Sequence, residues 1–460
     1  MEPTDPLLIS SSRGNQSQEE EAKLVNETWG ESKKIWQIAG PTIFSRLAMF
    51  SLTVITQSFA GHLGNGNLAA ISIVTTLLIG ITFGLLLGMA SAMETLCGQA
   101  YGAKQYHMLG IYLQRSCILL SLSSIALLPL FMFASPIVKL LGQSDDVAEL
   151  TGEVAIWLIP MHLSFPFQFT LMRFLQCQLK TLVIAWVCGG TLLLHVVLNW
   201  VFVYTLRVGI VGTAIVLDIS WWASVIGLVA YIVFGGCPHS WTGFSRQGIF
   251  GLWQFFKLSL ASGVMLSLEN FYFRVLIIVS GYMKNIDVSI DALSVCVTII
   301  GWESMIPLGL FAATGIRVAT ELGAGNRKGA RLATKVSLLN SFIIGVMFWL
   351  IIMAYPEKLA MIFTSNTAVI KMVHDLSFLL ATTLLINCIQ PILSGVAVGI
   401  GWQALVAYVN IGSYYLVGIP LGLFLGYFYH FGLKGIWIGM MCGTVVQTLI
   451  LTVLTLRCGW

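Results

Sequence analysis

LCGQAYGAK (96–104) has a counterpart, ELGAGNRK (321–328), about 222 residues further along the chain. Gly102 of the first string falls on Gly325 of the second, and other landmarks coincide at nearly the same offset. Gln168 in FPFQF (165–169) falls on Gln390 in NCIQP (387–391), and LVIAWV (182–187) falls on ALVAYV (404–409). Gly209 and Gly212 of VGIVG fall on Gly432 and Gly435 of FGLKG. Several matches at one spacing describe a unit duplicated in the same order, and each copy holds about six apolar spans. Parallel repeats of six spans are an established plan for secondary transporters, with the substrate path between the halves.

Composition agrees with a polytopic membrane protein. The 460 residues are 57% hydrophobic and 10% charged, whereas soluble domains carry roughly 25% charged residues. Apolar stretches of spanning length, about 20 residues each, fall at 36–60, 68–92, 112–134, 151–175, 181–205, 210–235, 252–280, 290–315, 333–355, 374–398, 404–429 and 433–457. The expected fold is all-α, with twelve transmembrane helices in two six-helix pseudo-symmetric lobes around a central cavity. The lobes are expected at 35–235 and 252–460, joined by a cytosolic linker at 236–251. Residues 1–34 are polar and acidic and lack the apolar core of a signal peptide; they read as a disordered cytosolic tail. Pro166 and Pro391 occupy corresponding places in the fourth and tenth spans, and paired interruptions of that kind point to a central site.

Lysine and arginine set the orientation. With Arg46, Arg115, Lys257 and Arg274 set aside as lying inside the spans, fourteen fall in the tails and even-numbered loops or at the span ends beside them, and six in the odd-numbered loops or at the span ends beside them, which predicts cytosolic termini. The nine cysteines are scattered, without a CxxC pair or a disulfide framework, and read as small core residues. No GxxxxGK[ST] loop, HExxH motif, clustered His/Cys set or GxSxG elbow occurs. The sequence therefore points away from an enzyme. No cofactor beyond an ion gradient is expected, and no nucleic-acid partner. His195 reads as a hydrogen-bonded core histidine.

Charged residues at membrane depth are costly, about 2.5–3.5 kcal/mol each on insertion scales, and mark functional sites. The candidates are Glu269 and Arg274 in the seventh span, Asp218 in the sixth, Glu303 in the eighth and Arg46 in the first. Glu269 stands mid-span in GVMLSLENFYFRVLIIV (263–279), where a carboxyl can take up a proton from one side and release it on the other. Five residues separate it from Arg274, which puts the two on different helix faces. Asn270, Phe271, Tyr272, Phe273 and Trp302 are candidates for lining a pocket for flat organic molecules. Gln168, Asn199, Asn387 and Gln390 are polar groups at depth that can bond a substrate or another helix.

Longer strings carry a resemblance. ETLCGQAYGAKQYHMLGIYLQRS (94–116), RFLQCQLKT (173–181), WTGFSRQGIFGLWQFFKLSLASGVMLSLEN (241–270), RVATELGAGNRKGA (317–330) and QPILSGVAVGIGWQALVAYVN (390–410) resemble the multidrug and toxic compound extrusion (MATE) family, in particular its plant DETOXIFICATION branch. The resemblance implies a monomer in the lipid bilayer that exchanges protons for organic compounds such as flavonoids, alkaloids and xenobiotics. It implies export from the cytosol across the vacuolar membrane, or alternatively the plasma membrane. In similar plant proteins a glutamate on the seventh helix carries the coupling proton, and Glu269 in SLEN matches it. Two positions depart from the pattern: Arg274 stands where a second acidic residue often follows, and Asn387 stands where some members carry an aspartate. The chain stops at TLRCGW (455–460), where similar proteins continue with a charged tail, and so reads as a shortened form. A major-facilitator transporter shares the six-plus-six plan, but it would carry a GxxxDRxGRR-like string where this chain has GQAYGAKQYH. An uncoupled channel would show flux independent of any pH gradient. A lipid-processing enzyme would need catalytic groups clustered at one depth, and the sequence shows none.

Overall fold

The computed structural model describes residues 6–280 and 287–459, with side chains described for 22–272, 274 and 291–459. The described residues form helices and connections, with no strand among them. The membrane-length helices are α1 (Pro6–Leu63), α2 (Asn65–Gly102), α3 (Tyr106–Met132), α4 (Asp145–Trp157 with Ile159–Cys177), α5 (Thr181–Thr205), α6 (Ile210–Gly236), α7 (Leu252–Ser280), α8 (Asp287–Gly323), α9 (Arg327–Ala354), α10 (Thr367–Ile400), α11 (Gln403–Phe428) and α12 (Gly432–Arg457). Ten of them are long and apolar enough to cross a bilayer, and the bent pair forming α4 makes an eleventh. The twelfth, α7, has 29 residues and carries Lys257, Glu269 and Arg274. Large apolar side chains point outward along these helices, among them Trp186, Leu193 and Leu416, as helices facing lipid require.

The duplication is visible in three dimensions. A short helix, Ala134–Leu140, joins α3 to α4, and another, Pro356–Met361, joins α9 to α10, 222 residues later by their first residues. Within the first lobe α1 packs on α5, α3 on α4, and α6 on both α4 and α5; within the second, α8 and α9 pack on α10, and α7 and α12 on α11. The lobes meet along two antiparallel pairs, α1 with α8 and α2 with α7, and where the last turns of α2 pack on the end of α8. Close approach in the second pair depends on glycine: a Cβ on Gly88 would stand 2.8 Å from the Cα of Gly263.

Three sequence expectations change. Residues 6–34 are not a disordered tail but the first part of α1. No proline or turn interrupts the chain between Pro6 and Pro41, and QEEEAKLVNE (18–27) consists mostly of good helix formers. Glu31 and Ser32 are buried against the second lobe. Pro166 and Pro391 lie inside continuous helix. The break in α4 is instead at Leu158, where its halves bend by 47°, with Pro160 in the first turn of the second half, the position where a missing N–H is harmless. The helices also outrun their apolar spans: α2 continues to Gly102 and α8 to Gly323. Arg173 and Arg317, counted above as loop cations, are buried within α4 and α8. Removing these two from the fourteen still leaves twelve against six.

A carboxylate cage and a sealed seam

Glu269 sits where α7 faces α10, α11 and α12. Its Oε1 accepts from Gln390 Nε2 at 3.0 Å, Gln447 Nε2 at 3.3 Å, Asn410 Nδ2 at 3.4 Å and Ser394 Oγ at 3.5 Å. Gln390 also donates to Ser394 at 2.9 Å, and Gln447 to Asn410 Oδ1 at 2.6 Å. Four neutral donors from three helices converge on one oxygen, and no cation lies within ion-pair distance of Glu269 among the described residues. The donors come from a local irregularity as well as from regular helix: directly after Asn410, residues Ile411–Gly418 widen into a π-helical segment, a feature frequent at functional sites.

The other candidates disperse. Arg274 does not pair with Glu269; its Nη1 donates to the Thr76 carbonyl of α2 at 2.6 Å, inside a second π-helical segment, Val74–Ile79. Asn270 also faces α2, its amide 3.4 Å from where a Cβ on Gly84 would stand. Tyr272, a candidate for the cavity, is instead core: it is fully buried, stacked on Tyr414 at 4.1 Å, with its hydroxyl donating to the Met440 carbonyl at 2.6 Å. Trp302 is partly exposed and meets Phe50 of α1 edge-on at 5.2 Å. Phe271 is exposed; the side chain of Phe273 lies outside the described residues.

Glu303 is buried, with Cys388 Sγ donating to its Oε1 at 3.1 Å and Oε2 lacking a partner. Asn387 is half-buried and takes no part in the cage. Gln168 is buried in α4 beside Met172. Asp218 serves the broken helix: its Oδ1 accepts the freed N–H of Met161 at 2.9 Å, while Trp222 Nε1 donates to the Pro160 carbonyl at 2.9 Å. His195 is a core histidine, bonded to Thr56, Ser220, Asn199 and the Leu52 carbonyl.

One end of the seam between the lobes is sealed by contacts that the sequence did not reveal. Arg317 of α8 reaches Glu31 of α1 at 2.7 Å and Glu321 at 2.5 Å, and Lys34 flanks Glu31 at 3.3 Å. Asn340 donates to Ser32 at 3.0 Å. Thr95 of α2 bonds the Val398 carbonyl of α10, and Gln403 of α11 donates to Thr95 at 2.8 Å. A Cβ on Gly98 would stand 2.7 Å from that of Ala319. Just inside, Arg173 Nη2 lies 2.9 Å from Glu94 Oε1, with both side chains buried. An open groove of about 430 Å³ lies at the α1–α2 elbow, lined by Val54, Gln57, Ser58, Gly61, His62 and Leu68; none of the candidate residues borders it. Among the described residues no group of three His, Cys, Asp or Glu side chains could hold a metal ion.

Two repeated six-helix lobes, a polar cage inside one and a seam sealed at one end fit the plan of a membrane transporter. The profile described as MatE matches residues 41–201 and 261–424, one stretch in each lobe. Protein DETOXIFICATION 27 of Arabidopsis thaliana is 56% identical over 94% of this chain and 89% of its own, and Protein DETOXIFICATION 26 of the same plant is 52% identical over 100% and 93%. The crystal structure of the eukaryotic MATE transporter AtDTX14 superposes with a TM-score of 0.89 at 34% identity, covering 94% of this chain and 97% of that one. A Vibrio cholerae MATE transporter, VcmN, shares the fold at a TM-score of 0.82 and 16% identity, covering 93% of this chain and 97% of that one. The chain belongs to the MATE family of membrane transporters, which export compounds and are not enzymes.

Proposed function

We propose that this protein is a monomeric antiporter that exports organic compounds, flavonoids or alkaloids and xenobiotics, from the cytosol in exchange for protons, and that Glu269 carries the proton. The observation that supports the reading is the cage: a carboxyl at membrane depth held by four neutral donors and no cation. A fixed cation would lock the charged form, because hydrogen bonds between ionised partners are roughly twice as strong as neutral ones. Amide and hydroxyl donors let the group gain and lose a proton while their own bonds rearrange. One charge crossing 100 mV releases about 2.3 kcal/mol, and one pH unit about 1.4 kcal/mol, so the two together sustain a several-hundred-fold gradient. Seating in the vacuolar membrane with both termini cytosolic completes the proposal, and it would place the sealed end of the seam on the cytosolic side.

The test is exchange in proteoliposomes under an imposed pH gradient, with a sodium gradient as the parallel arm. Wild type should accumulate substrate against its concentration only under the pH gradient. Glu269→Gln should bind substrate but lose gradient-driven accumulation. Wild-type accumulation by the variant, or drive by sodium alone, would contradict the assignment. A fluorescent tag on the protein in plant cells reports the destination membrane.

A further inference from the structure

Arg46 and Glu94 stand near each other at the inner end of the seam, and the charges there do not balance. Glu94 is buried and engaged by Arg173, whose Nη1 also donates to Gln176 Oε1 at 2.9 Å; Gln176 in turn donates to Thr42 Oγ1 at 3.1 Å. The outer oxygen of Glu94 is pressed toward α8, where a Cβ on Gly315 would stand 2.9 Å from it. Glu94 thus lies within ion-pair distance of Arg173, although neither of its oxygens is hydrogen-bonded. Arg46 lies within electrostatic reach of both, yet no carboxylate comes within ion-pair distance of it among the described residues, and its buried Nε has no hydrogen-bond partner. Two guanidiniums share one carboxylate, which leaves one positive charge uncompensated at membrane depth.

The placement of that charge gives it a use. Ile43, Arg46 and Phe50 lie along one stripe of α1, at the three- and four-residue spacing of a helix face. Ile43 packs on Gly309 of α8 and Phe50 on Trp302 of α8, so the stripe faces the seam. Arg46 is partly exposed, although its Nε is buried, and Phe50 and Trp302, one turn away, are 36% and 40% exposed. A planar, always-charged fork beside an aromatic pair suits a carboxylate carried on a flat apolar body. We infer that Arg46 is the contact for an anionic group on the transported compound, and that the substrates include aromatic carboxylic acids. The inference rests on the exporter reading above and narrows its substrate class from cationic alkaloids toward acids. Arg274 does not share the role, because its guanidinium already donates to the Thr76 carbonyl.

The experiment is equilibrium binding to the purified full-length protein of fluorescent aromatic acids and their methyl esters, with coumarin-3-carboxylate and 1-naphthoate as the acids. At least one acid should bind about tenfold or more tightly than its ester, and Arg46→Gln should abolish that difference while leaving ester binding unchanged. Equal binding of acid and ester by the wild type, or an unchanged preference in Arg46→Gln, overturns the inference. Where Arg46→Gln does not purify as a monodisperse protein, Arg46→Lys decides. Its ammonium keeps the charge but loses the fork, so the acid preference should fall several-fold, and an unchanged preference overturns the assignment. Binding needs no gradient. A failure here therefore leaves proton exchange standing, and a failure of proton exchange leaves this result readable.

Discussion

Replacing Arg317 with alanine should open the sealed end of the seam. Its guanidinium is shared between Glu31 and Glu321 at 2.7 and 2.5 Å, and the Arg317 and Glu31 side chains are only 8% and 5% exposed. Removing one partner of a buried pair costs about 3–5 kcal/mol, because the remaining charge is left without compensation. Glu31 then keeps only the largely exposed Lys34 at 3.3 Å and Glu321 only the Asn326 amide at 2.7 Å, and the closed arrangement is the one that leaves them under-compensated, since separating α1 from α8 gives both access to water. Taking the low end, about 3 kcal/mol, the balance between sealed and open seams shifts by roughly a hundredfold toward open. The shift is readable by distances between spin labels at His107→Cys and Lys328→Cys, exposed residues at the starts of α3 and α9 on opposite lobes. The background would carry serine at Cys117, Cys442 and Cys458, the native cysteines that are not buried. The wild type should give one short-distance population, Arg317→Ala a second and longer one, and Arg317→Lys an intermediate mixture. Indistinguishable distributions in the wild type and Arg317→Ala would refute the claim that this network holds the lobes together.

Two further substitutions separate scaffolding from transport. Asp218→Ala strands the Met161 N–H at the break in α4 and should lower stability by about 1–3 kcal/mol, seen as an earlier thermal transition; pH-driven exchange per folded molecule should persist, and its loss would give Asp218 a coupling role instead. Tyr272→Phe removes the bond to the Met440 carbonyl and should cost about 0.5–1.5 kcal/mol of stability, with substrate affinity unchanged in a binding titration; a large affinity loss would return Tyr272 to the cavity.

The duplication, the twelve spans and the presence of an acid, Glu269, at membrane depth were legible in the chain, because each leaves a mark that needs no partner: a repeated string, an apolar run, a carboxyl inside one. The cage was not. Ser394, Asn410 and Gln447 are single polar residues in three separate helices, and nothing in any one helix says that they meet at one oxygen. Glu94 was missed for a different reason. Hydropathy ends the second span at residue 92, while the helix continues to Gly102, so a buried acid inside its last turns looked like the start of a loop. The same error hid Arg317, just past the eighth span at 290–315, among the loop cations, and Glu31 in a supposed tail; Arg173 lay near the end of the fourth span, 151–175, and was taken for a loop cation there. Polar residues end an apolar run, but they do not end a helix when an oppositely charged neighbour from another helix compensates them.

On the proposed reading, α7 is the element that turns protonation into movement, because it is bonded to both lobes from different faces. Glu269 accepts from α10, α11 and α12, whereas Asn270 and Arg274, four residues apart and therefore on one face, lie against Gly84 and Thr76 of α2. A proton on Glu269 removes the negative charge that strengthens its bonds to the second lobe and leaves the Arg274 bond to the first lobe untouched. The balance of attachment then shifts toward α2. Both ends of this exchange lie beside π-helical segments, Val74–Ile79 under Arg274 and Ile411–Gly418 after Asn410, where backbone bonds depart from the regular pattern, as they often do at functional sites. An acidic residue at position 274 would add a second group that takes up protons; arginine there bonds α7 to α2 instead, so the proposed coupling rests on one carboxyl working against one hydrogen bond to the other lobe.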